Sequence, residues 1–184
     1  KVILFGGAQN GQMMNDTWEW DGAQWIQIHV EGPSARFPAG FVYDGVNQKV
    51  LLFGGHKYDN SGITTYGDTW AWDGATWESI MADGPSARDG AKAVFDPLTK
   101  YVYLFGGAEI TSSVKNLNDM WTWNGSQWKQ LEVESPPARV HPAMAFDVKR
   151  GVIVMTGGSN GPDLTLGDTW EWDEAQWICT DGCK

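Results

Sequence analysis

A repeat of about fifty residues, punctuated by double glycines, constrains this chain more than any other feature. Gly6-Gly7, Gly54-Gly55, Gly106-Gly107 and Gly157-Gly158 fall 48, 52 and 51 residues apart. A Trp-x-Trp pair follows each one: Trp18/Trp20, Trp70/Trp72, Trp121/Trp123 and Trp170/Trp172. A further tryptophan stands five residues beyond each pair, at Trp25, Trp77, Trp128 and Trp177, and with these all 12 tryptophans are placed. A unit of this length cannot bury an apolar face alone and must stack on its neighbours. Residues repeated identically in every unit are therefore read as packing residues, not as a sugar-stacking platform.

Within one period the local signals predict four short strands, a to d. Strand a follows Pro85-Ser86-Ala87-Arg88 and covers 90–95, turning at Asp96-Pro97-Leu98-Thr99. Strand b, 101–105, is a continuous apolar run, as expected of a strand buried on both faces. Strand c covers 119–123, and side-chain alternation puts both indoles of its Trp-x-Trp pair on one face, between units. Asn124-Gly125 predicts a tight hairpin with positive φ at both residues, and strand d begins near Trp128. Pro38 and Pro142 are expected inside strand a, which suits an inner edge strand lining a channel. The sum is an all-β propeller of about four blades, each a four-stranded antiparallel sheet.

The blocks Leu51-Leu52-Phe53-Gly54-Gly55, Asp68-Thr69-Trp70-Ala71-Trp72-Asp73-Gly74 and Gly84-Pro85-Ser86-Ala87-Arg88 resemble kelch repeats of the bacterial secreted kind, over essentially the whole chain. The repeats are placed at 1–28, 29–80, 81–131 and 132–178, with a tail at 179–184. The first copy begins at strand b and so lacks strand a. The resemblance implies a ring of usually five to seven blades, closed by strands from both ends of the domain. Three arrangements follow: a segment of a longer propeller, which the missing strand a and the low blade count favour, a compact four-bladed ring, or two copies sharing one ring. The fourth copy drifts, with Met155-Thr156 before its glycines and Asp173-Glu174 in place of Asp-Gly, so its hairpin is expected to use another turn type.

Formal net charge is −10, which argues against a nucleic-acid partner, since phosphate binding calls for clustered Lys and Arg. No run approaches the roughly 18 apolar residues of a spanning helix, so no membrane insertion is expected. The two cysteines, Cys179 and Cys183, are read as a short disulfide, which would place the protein outside the reducing cytosol, with two free thiols or half of a metal site as the alternatives. An extracellular or cell-surface location follows.

Arg36, Arg88 and Arg139 recur at the head of strand a. In kelch domains that bind partners, the resemblance implies, residues here line one mouth of the channel. Three guanidinium groups there would grip carboxylates or sulfates, and the competing reading pairs each arginine with a neighbouring Asp or with backbone carbonyls. The b–c loops 8–15, 56–67, 108–118 and 159–167 vary most and should open on the same face. The second is the richest, with His56, Lys57, Tyr58 and Tyr66, and His141 joins the candidate set. His29, His56 and His141 lack metal-ligand spacing, and neither a metal nor a cofactor is expected. Asn15 and Asn124 fit the glycosylation pattern, Asn124 on the more exposed turn.

The expected function is a non-enzymatic recognition or assembly module. It would bind a protein or polysaccharide through one propeller face, with self-association or added blades as further partners. The rivals are part of a carbohydrate-active enzyme whose catalytic groups lie elsewhere, and a purely structural polymer-forming component.

Overall fold

In the computed structural model, which describes residues 1–60, 62–161 and 164–183, the four repeats are four blades. Blade 1 consists of β1 (Val2–Phe5), β4 (Thr17–Trp20) and β5 (Trp25–Ile28), with β2 (Ala8–Gln9) and β3 (Gln12–Met13) forming a small hairpin in its b–c loop. Blade 2 is β6 (Gly40–Asp44), β7 (Lys49–Asp59), β8 (Gly62–Trp72) and β9 (Trp77–Ile80). Blade 3 is β10 (Lys92–Asp96), β11 (Tyr101–Phe105), β14 (Met120–Trp123) and β15 (Trp128–Leu131), with β12 (Ala108–Ile110) and β13 (Val114–Asn116) as its loop hairpin. Blade 4 is β16 (Ala143–Asp147), β17 (Val152–Thr156), β18 (Thr169–Trp172) and β19 (Trp177–Asp181). All pairing within the blades is antiparallel.

The core lies between blades, in three apolar seams. Phe5 of blade 1 meets Leu52, Trp72 and Trp77 of blade 2. Leu51 and Phe53 of blade 2 meet Val102, Leu104, Trp123 and Trp128 of blade 3. Tyr103, Phe105 and Met120 of blade 3 meet Ile153, Met155, Trp172 and Trp177 of blade 4. The third tryptophan of a repeat lies edge-on to the strand-b phenylalanine of the preceding blade: Trp77 on Phe5 at 5.3 Å, Trp128 on Phe53 at 5.4 Å, Trp177 on Phe105 at 5.5 Å. Such edge-to-face contacts add about 0.5–1.5 kcal/mol beyond area burial.

Among the described residues, no fourth seam joins blade 4 to blade 1, and Trp25 remains 44% exposed. The chain is an open arc, which corrects the compact four-bladed ring. The prolines are also re-placed: β6 starts at Gly40 and β16 at Ala143, so Pro38 and Pro142 precede strand a. The hairpins are four-residue loops. Trp123 pairs with Trp128, Asn124 N donates to Gln127 O, and Asn124 Oδ1 accepts from the Ser126 and Gln127 amides. Only Gly125 of the Asn-Gly pair has positive φ. Blade 4 closes the same loop from Asp173, and Glu174 itself takes φ 76°, so no other turn type is used there.

Cys179 and Cys183 are bonded, with Cα atoms 6.2 Å apart. Because β19 runs to Asp181, Cys179 belongs to the outer strand and the bridge folds the tail back onto blade 4. No helix among the described residues is long and apolar enough to cross a membrane. Ser61 of the second loop, Pro162 and Asp163 of the fourth, and Lys184 of the tail lie outside the described residues.

Candidate channel-mouth site

Each arginine joins two blades, and that explains the double glycines. The carbonyl of Arg36 accepts from Gly7 N, that of Arg88 from Gly55 N and that of Arg139 from Gly107 N, each at 2.9 Å. A Cβ on Gly6 would lie 2.4 Å from Arg36 O, and one on Gly106 2.7 Å from Arg139 O, so no side chain fits there. The guanidinium groups point into their own blades. Arg88 Nη2 donates to Asp119 Oδ2 at 2.9 Å and to Ser86 Oγ at 2.9 Å, and its Nη1 reaches Gly106 O at 3.0 Å. Arg36 binds Asp68 and Ser34 in the same way, and Arg139 binds Asp168. All three arginines are at most 1% exposed.

These contacts are bidentate and charge-assisted. Burial opposes charge on Asp68 and Asp119, but the arginines outweigh it and hold both carboxyls below their ordinary range. At Asp168 the Arg139 hydrogen bonds dominate in the same direction. The arginines thus organise the blades and do not offer free guanidinium groups at the mouth. Tyr66 is likewise committed, with its ring 3.8 Å below the Arg36 guanidinium carbon.

What varies sits one residue further on. The residue after each arginine forms an isolated antiparallel bridge with the residue after each double glycine: Phe37 with His56, Asp89 with Ala108, Val140 with Ser159. One backbone motif therefore displays different side chains at the same end of each blade. Phe37, His56 and Tyr58 form an aromatic cluster with ring centroids 5.4 to 6.2 Å apart. The two paired strands β7 and β8 extend past the blade as an arm, continuing the pairing from His56–Thr65 to Asp59–Gly62. Tyr58 on this arm is 42% exposed, and Lys57 pairs with Asp59 at 3.1 Å.

His56 Nδ1 lies 2.8 Å from Asp89 Oδ1 of the next blade. The two atoms are in contact without the geometry of an aligned hydrogen bond. Burial raises the proton affinity of Asp89, but His56 overrides it, with a smaller contribution from His141, and the carboxyl is held below its ordinary range. His141 takes φ 54°, its amide donates to Gly90 O at 2.7 Å, and a Cβ on Gly90 would lie 3.0 Å from His141 Cε1. Phe37, His56, Asp89, Lys92 and His141 line a cavity of about 450 Å³. A second cleft of about 420 Å³ runs between the β2–β3 hairpin and the arm, at Gln12, Met13, Lys57 and Tyr58. A larger cavity, about 610 Å³, lies elsewhere, between β1 and blade 2 at Val2, Ile3, Phe41 and Val50.

Of the residues expected at the site, His56, Lys57, Tyr58 and His141 converge here, whereas the arginines and Tyr66 stand beneath as support. Phe37, Asp89 and Lys92 were not singled out from the sequence. The signal for the first two was divergence, one position past a repeated arginine, on an otherwise repeated frame. Asn15 and Asn124 are both exposed, far in sequence from this cluster. No three His, Cys, Asp or Glu side chains gather into a metal-sized group among the described residues.

Comparison with known proteins bears on this surface. Residues 1–180 match the KLHDC2/KLHL20/DRC7 kelch-repeats domain. An F-box/kelch-repeat protein of Arabidopsis thaliana is 31% identical over 155 residues, covering 74% of this chain and 31% of that protein. The acyl-CoA-binding domain-containing protein 4 of the same plant is 24% identical over 194 residues, covering 94% of this chain and 28% of that protein. The solved structure of YjhT superposes with a TM-score of 0.72 at 12% identity, over 92% of this chain and 59% of that one. The chain thus spans about a third of the length of these curated relatives.

Proposed function

The chain belongs to the kelch-repeat family, and from that premise we propose that it is a protein-binding module acting through the channel mouth of blades 1 to 4. The observation that carries the reading is the bridge motif. It holds one backbone geometry in blades 2, 3 and 4 while Phe37/His56, Asp89/Ala108 and Val140/Ser159 change the chemistry displayed. Rigid scaffold with variable display is how binding surfaces are built on repeat folds. The exposed arm with Tyr58, the exposed side chain of Lys92 and the His56–Asp89 pair supply aromatic, cationic and polar contacts around one opening.

Protein is favoured over polysaccharide because the indoles that would stack on sugar rings are largely spent in the seams; nine of the 12 belong to blades 2 to 4. An extracellular location is part of the same reading. Its support is the Cys179–Cys183 bond, which a reducing cytosol would not maintain.

The test is chemical cross-linking of the native protein to its neighbours, followed by binding measurements with the partner identified. Tyr58→Ala, Lys92→Ala and His141→Ala should each weaken binding at least several-fold without lowering the melting temperature. Lys129→Ala, on the outer strand of blade 3, should change nothing. The reverse pattern would move the site off the mouth.

A further inference from the structure

One edge of the blade 2 arm has no partner strand among the described residues. His56 N donates to Phe37 O at 3.0 Å, and His56 O accepts from Phe37 N at 2.8 Å. In an antiparallel sheet the N–H and C=O of one residue point to the same side, and that side alternates along the strand. His56 therefore turns its backbone towards the linker that carries Phe37. Lys57 turns its own towards Thr64 of β8, and Tyr58 turns back to the linker side.

Ala35 would face Tyr58 if the linker ran on beside β7. Instead Arg36 N donates to Met14 O of blade 1 at 3.1 Å, so the linker leaves the arm at Phe37. Among the described residues no backbone group meets the Tyr58 N–H or C=O on that side, and Tyr58 is 42% exposed. The corresponding residue of blade 3, Ile110, is half-buried. The gap opened by the departing linker is the cleft of about 420 Å³, with Ala35 and Tyr58 on one wall and Gln12 and Met13 of the β2–β3 hairpin on the other. The rings of Phe37, His56 and Tyr58 share one face of the arm, because Phe37 pairs with His56 and Tyr58 stands two residues further on.

On the premise of the protein-binding reading above, we propose that this edge holds an extended segment of a partner protein by strand addition. The segment makes its main-chain hydrogen bonds to the Tyr58 N–H and C=O. Its residue opposite Tyr58 falls on the aromatic face, where an apolar side chain extends the Phe37–His56–Tyr58 cluster. The residues on either side of it point to the opposite face, beside the Lys57–Asp59 pair, and suit polar side chains. An open edge is a template for any chain. The β2–β3 hairpin narrows the choice here, since a cleft walled on its far side admits a single strand and not the edge of a second copy's blade.

The probe is a phage-displayed library of linear heptapeptides selected on the folded protein, with the selected sequences remade by synthesis. Tyr58→Ala removes the ring and keeps the N–H, whereas Tyr58→Pro removes both. Because this N–H lies outside the β7–β8 ladder, proline is tolerated there as on other edges. Peptide affinity should fall several-fold in Tyr58→Ala and at least tenfold further in Tyr58→Pro, with both variants melting at the wild-type temperature. Methylating the peptide amide nitrogens one at a time gives a second measurement, on the wild-type protein. Loss of binding at alternate positions is the mark of a paired strand.

Equal affinities of the two variants, or methylation tolerated at every position, would overturn strand addition. So would a library that yields no Tyr58-dependent peptide. Either result leaves the channel-mouth reading intact, because that stands or falls on Lys92→Ala and His141→Ala with the cross-linked partner. Dimerisation that grows with protein concentration and is lost in Tyr58→Pro but kept in Tyr58→Ala would assign the edge to a second copy, and the proposal would fail.

Discussion

Trp177 Nε1 is buried without a hydrogen-bond partner among the described residues, and Met120 occupies the repeat position from which a threonine accepts the equivalent indole in the other two seams. Trp77 donates to Thr17 and Trp128 to Thr69, both at 2.9 Å. The seam between blades 3 and 4 therefore replaces a buried hydrogen bond with thioether packing. Methionine fills the space well but accepts weakly.

Met120→Thr and Met120→Val remove similar volume from this fully buried site, so both should destabilise. Only threonine restores an acceptor to Trp177. Its variant should be more stable than the valine one by about 1 kcal/mol, the typical net worth of such a bond. Urea unfolding of the pair decides it; equal midpoints would mean that the indole N–H finds no use for the hydroxyl.

Arg88 is 1% exposed and holds Asp119, Ser86 and the Gly106 carbonyl together. Arg88→Ala should cost about 3–5 kcal/mol, because it strands a half-buried carboxylate as well as losing the bonds. Arg88→Met combined with Asp119→Leu should cost much less than that single change. A double variant as unstable as Arg88→Ala would show that the backbone carbonyl contact, not the ion pair, dominates.

The acid limb of stability follows from the same pairs. Asp68, Asp119 and Asp168 are all depressed by arginine, and Asp89 by His56. Unfolded aspartates titrate near about 3.9, so these groups favour the folded state fully above that value. Their contribution is lost as pH falls through the lower folded values. Unfolding free energy should thus hold steady on descent to about pH 5 and drop below about pH 4. Urea titrations at pH 3, 4, 5 and 7 measure it, and a flat profile to pH 3 would contradict these assignments.

Glu174 takes a left-handed backbone at φ 76° where the other three hairpins use Gly22, Gly74 and Gly125. A non-glycine residue in that region costs about 1–2 kcal/mol, partly offset by the greater freedom glycine has when unfolded. Glu174→Gly should raise stability by roughly 0.5–1 kcal/mol, and Glu174→Val should lower it. Thermal melts of the two variants check the ordering.

The blades were legible because their signals are local and repeated. Strand b at Tyr101–Phe105 matches the apolar run residue for residue, and repetition placed the tryptophans of blades 2 to 4 in the seams. The hairpin was misread because Asn124 works through its side chain, accepting two amides, rather than by adopting positive φ. The arginines carried two readings until burial separated them. Spacing puts Arg139 and Asp168 at matching repeat positions, but only packing shows both side chains turned inward with 0% and 10% of their surfaces exposed.

Sequence by itself determined the blade: how many strands it has and in what order, which residues repeat, and where the apolar runs lie. Tertiary structure alone decided which residues share the channel mouth. His56 and Asp89 are 33 positions apart by number and come from different blades, and no pattern within one period relates them. The physical reason is that periodicity reports contacts made identically in every repeat, through short-range backbone geometry. A contact made once, between two side chains brought together by the stacking of unlike loops, leaves no period to read.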